Sequence, residues 1–229
     1  MENLRFDTEM RDGETVGDLA YRRIRADLVN GKLKPLDRLR LEVLKDAYDV
    51  SISTLREILS KLAVEELVTA EGQRGFRVAP ISVADLTGLG ELRILLETHA
   101  LRRSLALGDL DWQGQVVAAH YTLSVLEKDL LGGGAGTVEK WVRHDWGFHR
   151  ACIAACDSAP LMRTHASIFD RYARYHTLIL DFRGQAAAQE HATLRDLVLG
   201  RDADAAVALL TSHIRSGVAH IVGTGKVPA

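Results

Sequence analysis

The segment formed by residues 39–79 constrains the fold more than any other part of the chain. Apolar residues recur at helical spacing on both sides of Asp49 and Val50, which indicates two short helices joined by a tight turn. Ser51 stands at the start of the second helix, where its hydroxyl can cap unpaired backbone amides. Two short apolar runs follow, and residues 71–75 between them contain two glycines. The segment is therefore predicted to form a helix-turn-helix followed by a two-stranded wing.

The second helix of this segment has a polar side whose chemistry suits DNA. Its apolar face lies between residues 55 and 62, and short hydroxyls and one guanidinium lie on or near the other face: Ser53, Thr54, Arg56 and Ser60. Such groups can reach phosphates and base edges in a major groove without filling it. Similar spacing also arises by chance, so a helical hairpin with an exposed β-ribbon and no ligand is the alternative.

From residue 35 to residue 78 the chain resembles the winged helix-turn-helix of the GntR family of bacterial repressors. The pair Arg56-Glu57 matches the recognition helix of that family, and residues 75–78 match its wing. Ile52 and Glu42 stand where relatives usually have basic residues. The resemblance implies DNA contacts by six residues: Ser51, Ser53, Thr54, Arg56, Arg74 and Gly75.

Composition places the chain among soluble globular proteins. Its 229 residues suffice for two domains, and 47% are hydrophobic and 26% charged. The net charge is −2, and residues 15–79 hold 12 Lys and Arg against 10 Asp and Glu. This weak surplus predicts a specific, dimer-dependent DNA binder rather than a tight non-specific one. Without a long apolar run or an apolar N-terminal core, we expect a cytoplasmic protein that does not enter membranes.

The remaining chain divides readily into predicted elements. Residues 1–14 are polar and expected to be disordered, residues 15–80 form the DNA-binding domain, and residues 81–223 form a helical domain. Six helices are predicted in the second domain, at residues 82–107, 111–131, 138–155, 160–181, 186–199 and 202–222. Short connections make them an antiparallel bundle, so the fold class is mainly α. Cys152 and Cys156 are predicted to be small core residues rather than a disulfide.

One carboxylate and three imidazoles are predicted to meet inside this bundle. Asp145 and His149 lie four residues apart on the third predicted helix and so share a face. His191 and His213 lie about 12 Å and 16 Å from the turn between the last two helices, which makes them level. These donors would bind a borderline divalent ion and leave positions for a ligand. Histidines that only form hydrogen bonds within the core are the alternative.

Residues 82–220 resemble the all-helical FCD effector domain of the FadR-type branch of the GntR family. Its pattern of "D…FH", "EH" and a final "H" is met by Asp145, His149, His191 and His213. The resemblance implies a buried divalent metal ion, with zinc first and nickel or manganese as alternatives. Arg93 matches an arginine that lines the cavity in relatives, where it can grip a carboxylate with two hydrogen bonds. The alternative for Arg93 is a surface pair with Glu97, four residues on.

The leading hypothesis is a ligand-responsive transcription regulator, a homodimeric repressor, rather than an enzyme. It would bind a palindromic operator in double-stranded DNA and sense a small organic acid at the metal. The first alternative is a metal-dependent hydrolase that uses the Asp/His site, with Glu190 as the nearest candidate for a general base. The second is a scaffold whose histidines bind no metal.

Overall fold

The structure, a computed structural model, describes residues 10–134, 138–179 and 182–229. Over these ranges the chain forms two compact units, one that ends at Ile81 and one that begins at Ser82. Both units are built mostly from helices, and a small sheet belongs to the first. The mainly α fold class is therefore confirmed. Residues 1–9, within the segment expected to be disordered, lie outside the described ranges.

The first unit contains the predicted helix-turn-helix. Helix α1 spans Val16–Val29, α2 spans Leu41–Tyr48 and α3 spans Ile52–Val64. Thr15 caps α1 through a reciprocal capping box, in which both residues of the box satisfy an unpaired amide. Asp49 closes α2 in the left-handed conformation with φ 52°, which turns the chain directly into α3. The bounds of α2 agree with the spacing of its apolar residues.

A three-stranded antiparallel sheet completes the first unit within its described residues. The strands are β1 (Arg38–Leu39), β2 (Val68–Ala70) and β3 (Phe76–Val78), in the order β1-β3-β2. A short 3-10 turn at Gly72–Arg74 joins β2 to β3, and Gly75 follows it with φ +92°, a conformation that favours glycine. The predicted wing is confirmed. Strand β1 was not predicted, because two residues are too few to show a period.

Six helices form the second unit in the part that the structure describes. They are α4 (Val83–Leu107), α5 (Leu110–Leu131), α6 (Val138–Cys152), α7 (Ala159–Ile179), α8 (Gln185–Leu199) and α9 (Ala203–Gly223). Helix α4 packs against α7 and α9, while α5 packs against α6 and α8. The predicted bundle is confirmed. The chain beyond α9 also belongs to this unit, since the Val83 amide donates to the Pro228 carbonyl at 2.8 Å.

Several boundaries differ from the predicted ones. Asp109, not Asp111, caps α5, because its carboxylate accepts from the Trp112 amide at 2.8 Å. Helix α6 ends at Cys152, so Cys156 lies beyond it. Both cysteines are buried and unbridged within the described part of the chain, which confirms their prediction as core residues. The predicted end of α7 at Asp181 lies outside the described residues.

By length and composition, one described helix, α9, could cross a membrane, although no apolar run of that length was expected. Only part of its surface is buried, along a stripe that includes Leu210, Ile214 and Ile221. This stripe packs against neighbouring helices of the bundle, with α4 as the most extensively contacted partner. A core helix of a soluble bundle meets the same test of length and composition.

Helices α4 and α9 approach closely at Gly90. This glycine is buried, and a Cβ atom added to it would lie 2.6 Å from Cγ2 of Val218. Atoms in contact cannot come this near, and the branched Val218 side chain has little freedom to turn away. The absence of a side chain at position 90 therefore sets the spacing of the two helices.

We predict that Gly90→Ala lowers the free energy of unfolding by about 1–3 kcal/mol, because the added methyl overpacks the contact with α9. Urea unfolding of the full chain measures the change. Gly88→Ala on the same helix is the matched control, since a Cβ there meets no described atom within 4 Å. This control should be neutral or stabilise by up to about 1 kcal/mol. Equal stability of the two variants would contradict the close approach.

Candidate metal centre and DNA-binding surface

The four predicted ligands come together in the second unit. Asp145 and His149 lie on α6, His191 on α8 and His213 on α9, and one ligand atom from each lies within 4.8 Å of all the others. Oδ1 of Asp145 is 3.1 Å from Nε2 of His191. Nε2 of His149 is 3.3 Å from Nε2 of His213. Three helices thus direct one carboxylate and three imidazoles to a single point.

A glutamate holds the far nitrogen of each histidine. Oε2 of Glu97 lies 3.1 Å from Nδ1 of His149, and Oε1 of Glu127 lies 2.6 Å from Nδ1 of His191. The third pair joins Glu190 to His213, with Oε2 2.7 Å from Nδ1. A carboxylate beside Nδ1 favours the tautomer that carries its proton there. Each Nε2 then presents a lone pair to the common point, as in the carboxylate–histidine pairs that orient metal ligands.

None of these supporting roles was predicted. The available signal was a charged residue in register with an apolar stripe: Glu97 follows Leu89 and Arg93 on the buried face of α4. Glu127 repeats the pattern on α5, four residues after the buried Leu123. Glu190, the candidate general base of the hydrolase hypothesis, is engaged by His213 and by a bidentate contact from Arg183. Its carboxylate therefore holds the imidazole of His213 rather than facing the metal site as a base.

Two ligand atoms of the cluster are buried without a hydrogen bond. Oδ1 of Asp145 and Nε2 of His191 lie 3.1 Å from each other, but neither forms a well-aligned hydrogen bond with any described residue. A buried polar atom without a partner carries a desolvation penalty of about 1–3 kcal/mol, so native proteins rarely leave one unsatisfied. Both atoms face the point where the four donors converge. Their surroundings fit a cation that accepts electron pairs from them.

The electrostatics of the cluster also favour a cation. Burial would lower the pKa of His191, but close contacts of its ring nitrogens with the carboxylates of Asp145 and Glu127 raise it to about 9. Burial would raise the pKa of Asp145, yet His149 and His191 hold it below its usual value. Burial lowers the pKa of His213 to about 3. Without a metal ion, the two carboxylates therefore favour a positive charge on His191, and a bound cation would take the place of that proton.

The charges of the side chains around the four ligands also favour a bound cation. Asp145 and the three glutamates contribute four negative charges, while Arg93 and Arg183 beside them contribute two positive ones. With the three histidines neutral, as metal ligands must be, the difference is −2. Uncompensated charge inside a protein costs several kcal/mol per ion, and a divalent cation would cancel this excess. The residues present thus fit a divalent metal ion in both donor chemistry and charge.

Arg93 lies beside the cluster, and one nitrogen of its guanidinium forms no hydrogen bond with the described residues. Its Nε donates to Oε1 of Glu97 at 2.7 Å, and the guanidinium carbon lies 4.3 Å from the ring centre of Tyr172. Nη2 is buried and has no hydrogen-bond partner in the described chain. The alternative of a surface pair with Glu97 is wrong in its location, since Arg93 is 2% exposed and Glu97 is fully buried.

A small cavity joins Arg93 to the ligands. Its volume is about 20 Å³, enough for roughly one water molecule. Its polar and aromatic lining includes Arg93, Trp141, Asp145, Tyr172, Arg183 and His213. Two guanidiniums and the open side of the ligand cluster therefore face one space. Ala187, Ile214 and Gly217 also line the space, so it combines apolar walls with cationic groups that can bind an anion.

The predicted DNA-contacting residues lie on α3 and the wing. Ser51, Ser53, Arg56 and Arg74 are exposed, and Thr54 and Gly75 are partly exposed. Leu55, Leu59 and the rest of the apolar face are buried, which leaves the polar face outward.

The hydroxyl of Ser51 also caps α3. It accepts from the Thr54 amide at 3.1 Å and lies 2.7 Å from the Ser53 hydroxyl. The predicted cap is therefore confirmed. Arg38 on β1 adds a cation beside the wing, because its Nη2 donates to the Arg74 carbonyl at 3.3 Å. It was not singled out from the sequence, since its proximity to the wing depends on the pairing of β1 with β3.

Comparison with known families agrees with both units. Residues 17–78 match "Bacterial regulatory proteins, gntR family", and residues 89–216 match the FCD domain. The chain belongs to the GntR family. It is 37% identical over 203 residues to the HTH-type transcriptional regulator BphR of Paraburkholderia xenovorans, covering 88% of this chain and 83% of that protein. It is 30% identical over 200 residues to the HTH-type transcriptional repressor GlaR of Escherichia coli, covering 85% and 90%.

Solved structures show the same fold. A GntR regulator from Rhodococcus sp. RHA1 superposes with a TM-score of 0.75 at 22% identity, covering 90% of this chain and 97% of that one. McbR/YncC of E. coli gives a TM-score of 0.79 at 15% identity, covering 93% and 100%. The relatives and matched families are DNA-binding transcription regulators rather than enzymes. The predicted family is confirmed, and so is the non-enzymatic class, against the hydrolase alternative.

Proposed function

We propose that this protein is a repressor whose helical domain binds a divalent metal ion and senses a small carboxylate there. The metal would be held by Asp145, His149, His191 and His213, and the carboxylate by Arg93. The observation that carries the proposal is the convergence of four donor atoms within 4.8 Å, each imidazole backed by its own glutamate. Core histidines without a metal would not need this arrangement, in which two buried ligand atoms 3.1 Å apart form no well-aligned hydrogen bond within the described chain.

Zinc is the first choice of metal, with nickel or manganese as alternatives. Three imidazole nitrogens and one carboxylate oxygen are borderline donors that zinc and nickel accept readily. Domains of the FCD type often bind metal, which supports the assignment. When bound, the ion would supply a Lewis acid for one oxygen of the effector carboxylate. Nη2 of Arg93, buried and without a partner in the described chain, could then donate to the same carboxylate.

The size of the cavity suggests how the effector would act. A space of about 20 Å³ admits a water molecule but not a carboxylate group with its carbon chain. Side chains around the cavity would therefore move when the effector binds. A ligand can shift an equilibrium only when it binds one conformation better than another. The tight cavity excludes the effector, so the effector would bind only a conformation in which the cavity is wider and would shift the equilibrium toward it.

The DNA-binding domain would act as one half of a homodimer. Regulators of the GntR family bind DNA as dimers, and two-fold symmetry favours a palindromic operator. The exposed polar face of α3, with Ser51, Ser53, Thr54 and Arg56, would enter the major groove, and Arg74 and Gly75 of the wing would contact the neighbouring backbone. Repression is supported by the name of the relative GlaR. Such a regulator would work in the bacterial cytoplasm.

The metal assignment predicts that protein purified without a polyhistidine tag contains about one divalent ion per chain. Removal of the ion with a chelator should lower the melting temperature by roughly 5–10 °C, because a ligand of the folded state stabilises it by a few kcal/mol. Elemental analysis and thermal unfolding measure both effects. His213→Ala should lose most of the ion. His99→Ala, an exposed histidine on α4, is the control and should retain it. Equal metal content in both variants would contradict the site.

The effector assignment predicts that a small mono- or dicarboxylate raises the melting temperature of the metal-loaded protein. A thermal-shift panel of such acids identifies it, and DNA retention measured with the same acid shows whether it controls binding. Arg93→Met and His213→Ala should each abolish the shift, because one removes the guanidinium and the other a metal ligand. An acid that stabilises wild type and both variants equally would bind elsewhere, against the proposal.

The DNA assignment predicts that Arg56→Ala weakens operator binding by roughly ten- to a hundredfold, which corresponds to about 1–3 kcal/mol for a base or phosphate contact. The melting temperature should stay nearly unchanged, since Arg56 is exposed. The operator comes from selection on randomised DNA, and fluorescence anisotropy measures affinity. Arg102→Ala, an exposed arginine of the helical unit, controls for the loss of charge. Wild-type affinity in Arg56→Ala would exclude α3 as the recognition helix.

A further inference from the structure

Glu97 touches both parts of the proposed effector site. Its Oε2 lies 3.1 Å from Nδ1 of the metal ligand His149. Its Oε1 accepts from Nε of Arg93 at 2.7 Å and lies 3.0 Å from Nε2 of His165. The carboxylate is fully buried, so water does not weaken these contacts. One side chain thus joins the guanidinium that faces the cavity to the imidazole that faces the cluster.

The other two glutamates differ from Glu97 in ways that provide controls. Glu127 supports His191, but its other contact is the neutral indole of Trp141, with Nε1 3.4 Å from Oε1. Glu190 does contact a guanidinium, that of Arg183, but the two side chains are 25% and 13% exposed. Solvent screens such a pair. Of the three glutamates that contact the ligand histidines, Glu97 is the one that also contacts an arginine and is completely buried.

Sharing one carboxylate makes its two partners competitors. Arg93 draws the negative charge of Glu97 toward Oε1, which weakens the hydrogen bond that Oε2 accepts from Nδ1 of His149. An anion at Nη2 of Arg93 would partly neutralise the guanidinium and leave more charge for His149. A stronger hydrogen bond at Nδ1 makes Nε2 a better electron donor to a metal ion. Because binding free energies are linked, the metal would strengthen anion binding by the same factor.

We propose that Glu97 couples Arg93 to His149, so that an anion at Arg93 raises the affinity of the cluster for its metal ion. This proposal rests on the proposed function, in which Arg93 binds a carboxylate and His149 a metal. The proposal adds Glu97 as a positioning residue, through which binding of the anion and binding of the metal ion strengthen each other. Because Glu127 contacts no guanidinium, we expect that it can be replaced without loss of this coupling.

The test measures zinc affinity by competition with a chromophoric chelator, with and without acetate as the probe anion. In wild type, acetate should tighten zinc binding at least about fivefold, the lower end of usual coupling factors. Glu97→Gln and Glu127→Gln should each weaken zinc binding by about ten- to a hundredfold, as loss of a partner to a ligand does. Acetate should tighten zinc binding in Glu127→Gln by about the wild-type factor, whereas in Glu97→Gln the factor should be clearly smaller, because only direct contact between acetate and zinc then couples the two.

A second variant covers the case in which Glu97→Gln leaves Arg93 unpaired and fails to fold. Glu97→Asp keeps the charge but shortens the side chain, so one carboxylate can no longer reach both partners. Its acetate effect should also be clearly smaller than that of wild type. An equal acetate effect in the Glu97 variants and in Glu127→Gln would overturn the coupling alone. Failure of wild type to bind zinc would instead contradict the proposed function itself.

Discussion

The negative charge that surrounds the ligand cluster when its histidines are neutral is the constraint on which the helical unit depends. Four carboxylates and two guanidiniums lie within or beside one small space, and they come from helices α4, α5, α6 and α8 and from the segment before α8. Apolar packing alone would favour removing such groups from a core. Their retention is understandable if the charge is compensated. The cluster then holds several helices together at one point, and this specifies their arrangement more precisely than apolar packing alone would.

Local chemistry made much of this fold predictable. Capping residues and apolar spacing located the helices to within a few residues, because each signal acts over one or two turns. Asp145 and His149 could be paired from their spacing, and His191 and His213 from their distances to a turn. Glu97 and Glu127 could not be assigned a role in this way, since their partners lie 52 and 64 residues away in the sequence. The burial of Arg93 depends on the same tertiary contacts.

The DNA-binding unit shows a different division between local and distant information. The cap at Ser51 and the left-handed residue Asp49 define the turn between α2 and α3 from neighbouring residues alone. The sheet depends instead on a pairing between β1 and β3, with Arg38 opposite Arg77 across 39 residues. Such a pairing leaves no periodic trace in a two-residue strand. Residues that reach DNA from loops and short strands are therefore harder to recognise than those on a helix.

The contact between Gly90 and Val218 has a consequence for inherited change in this regulator. Arg93 follows Gly90 by three residues on α4, and His213 precedes Val218 by five residues on α9. The distance between the proposed effector contact and the proposed metal ligand thus depends on a glycine that belongs to neither site. If the proposed function holds, a genetic selection for regulators that ignore their effector would yield bulky replacements at position 90 beside mutants of the metal ligands. Such alleles would mimic a binding defect while every binding residue remained intact.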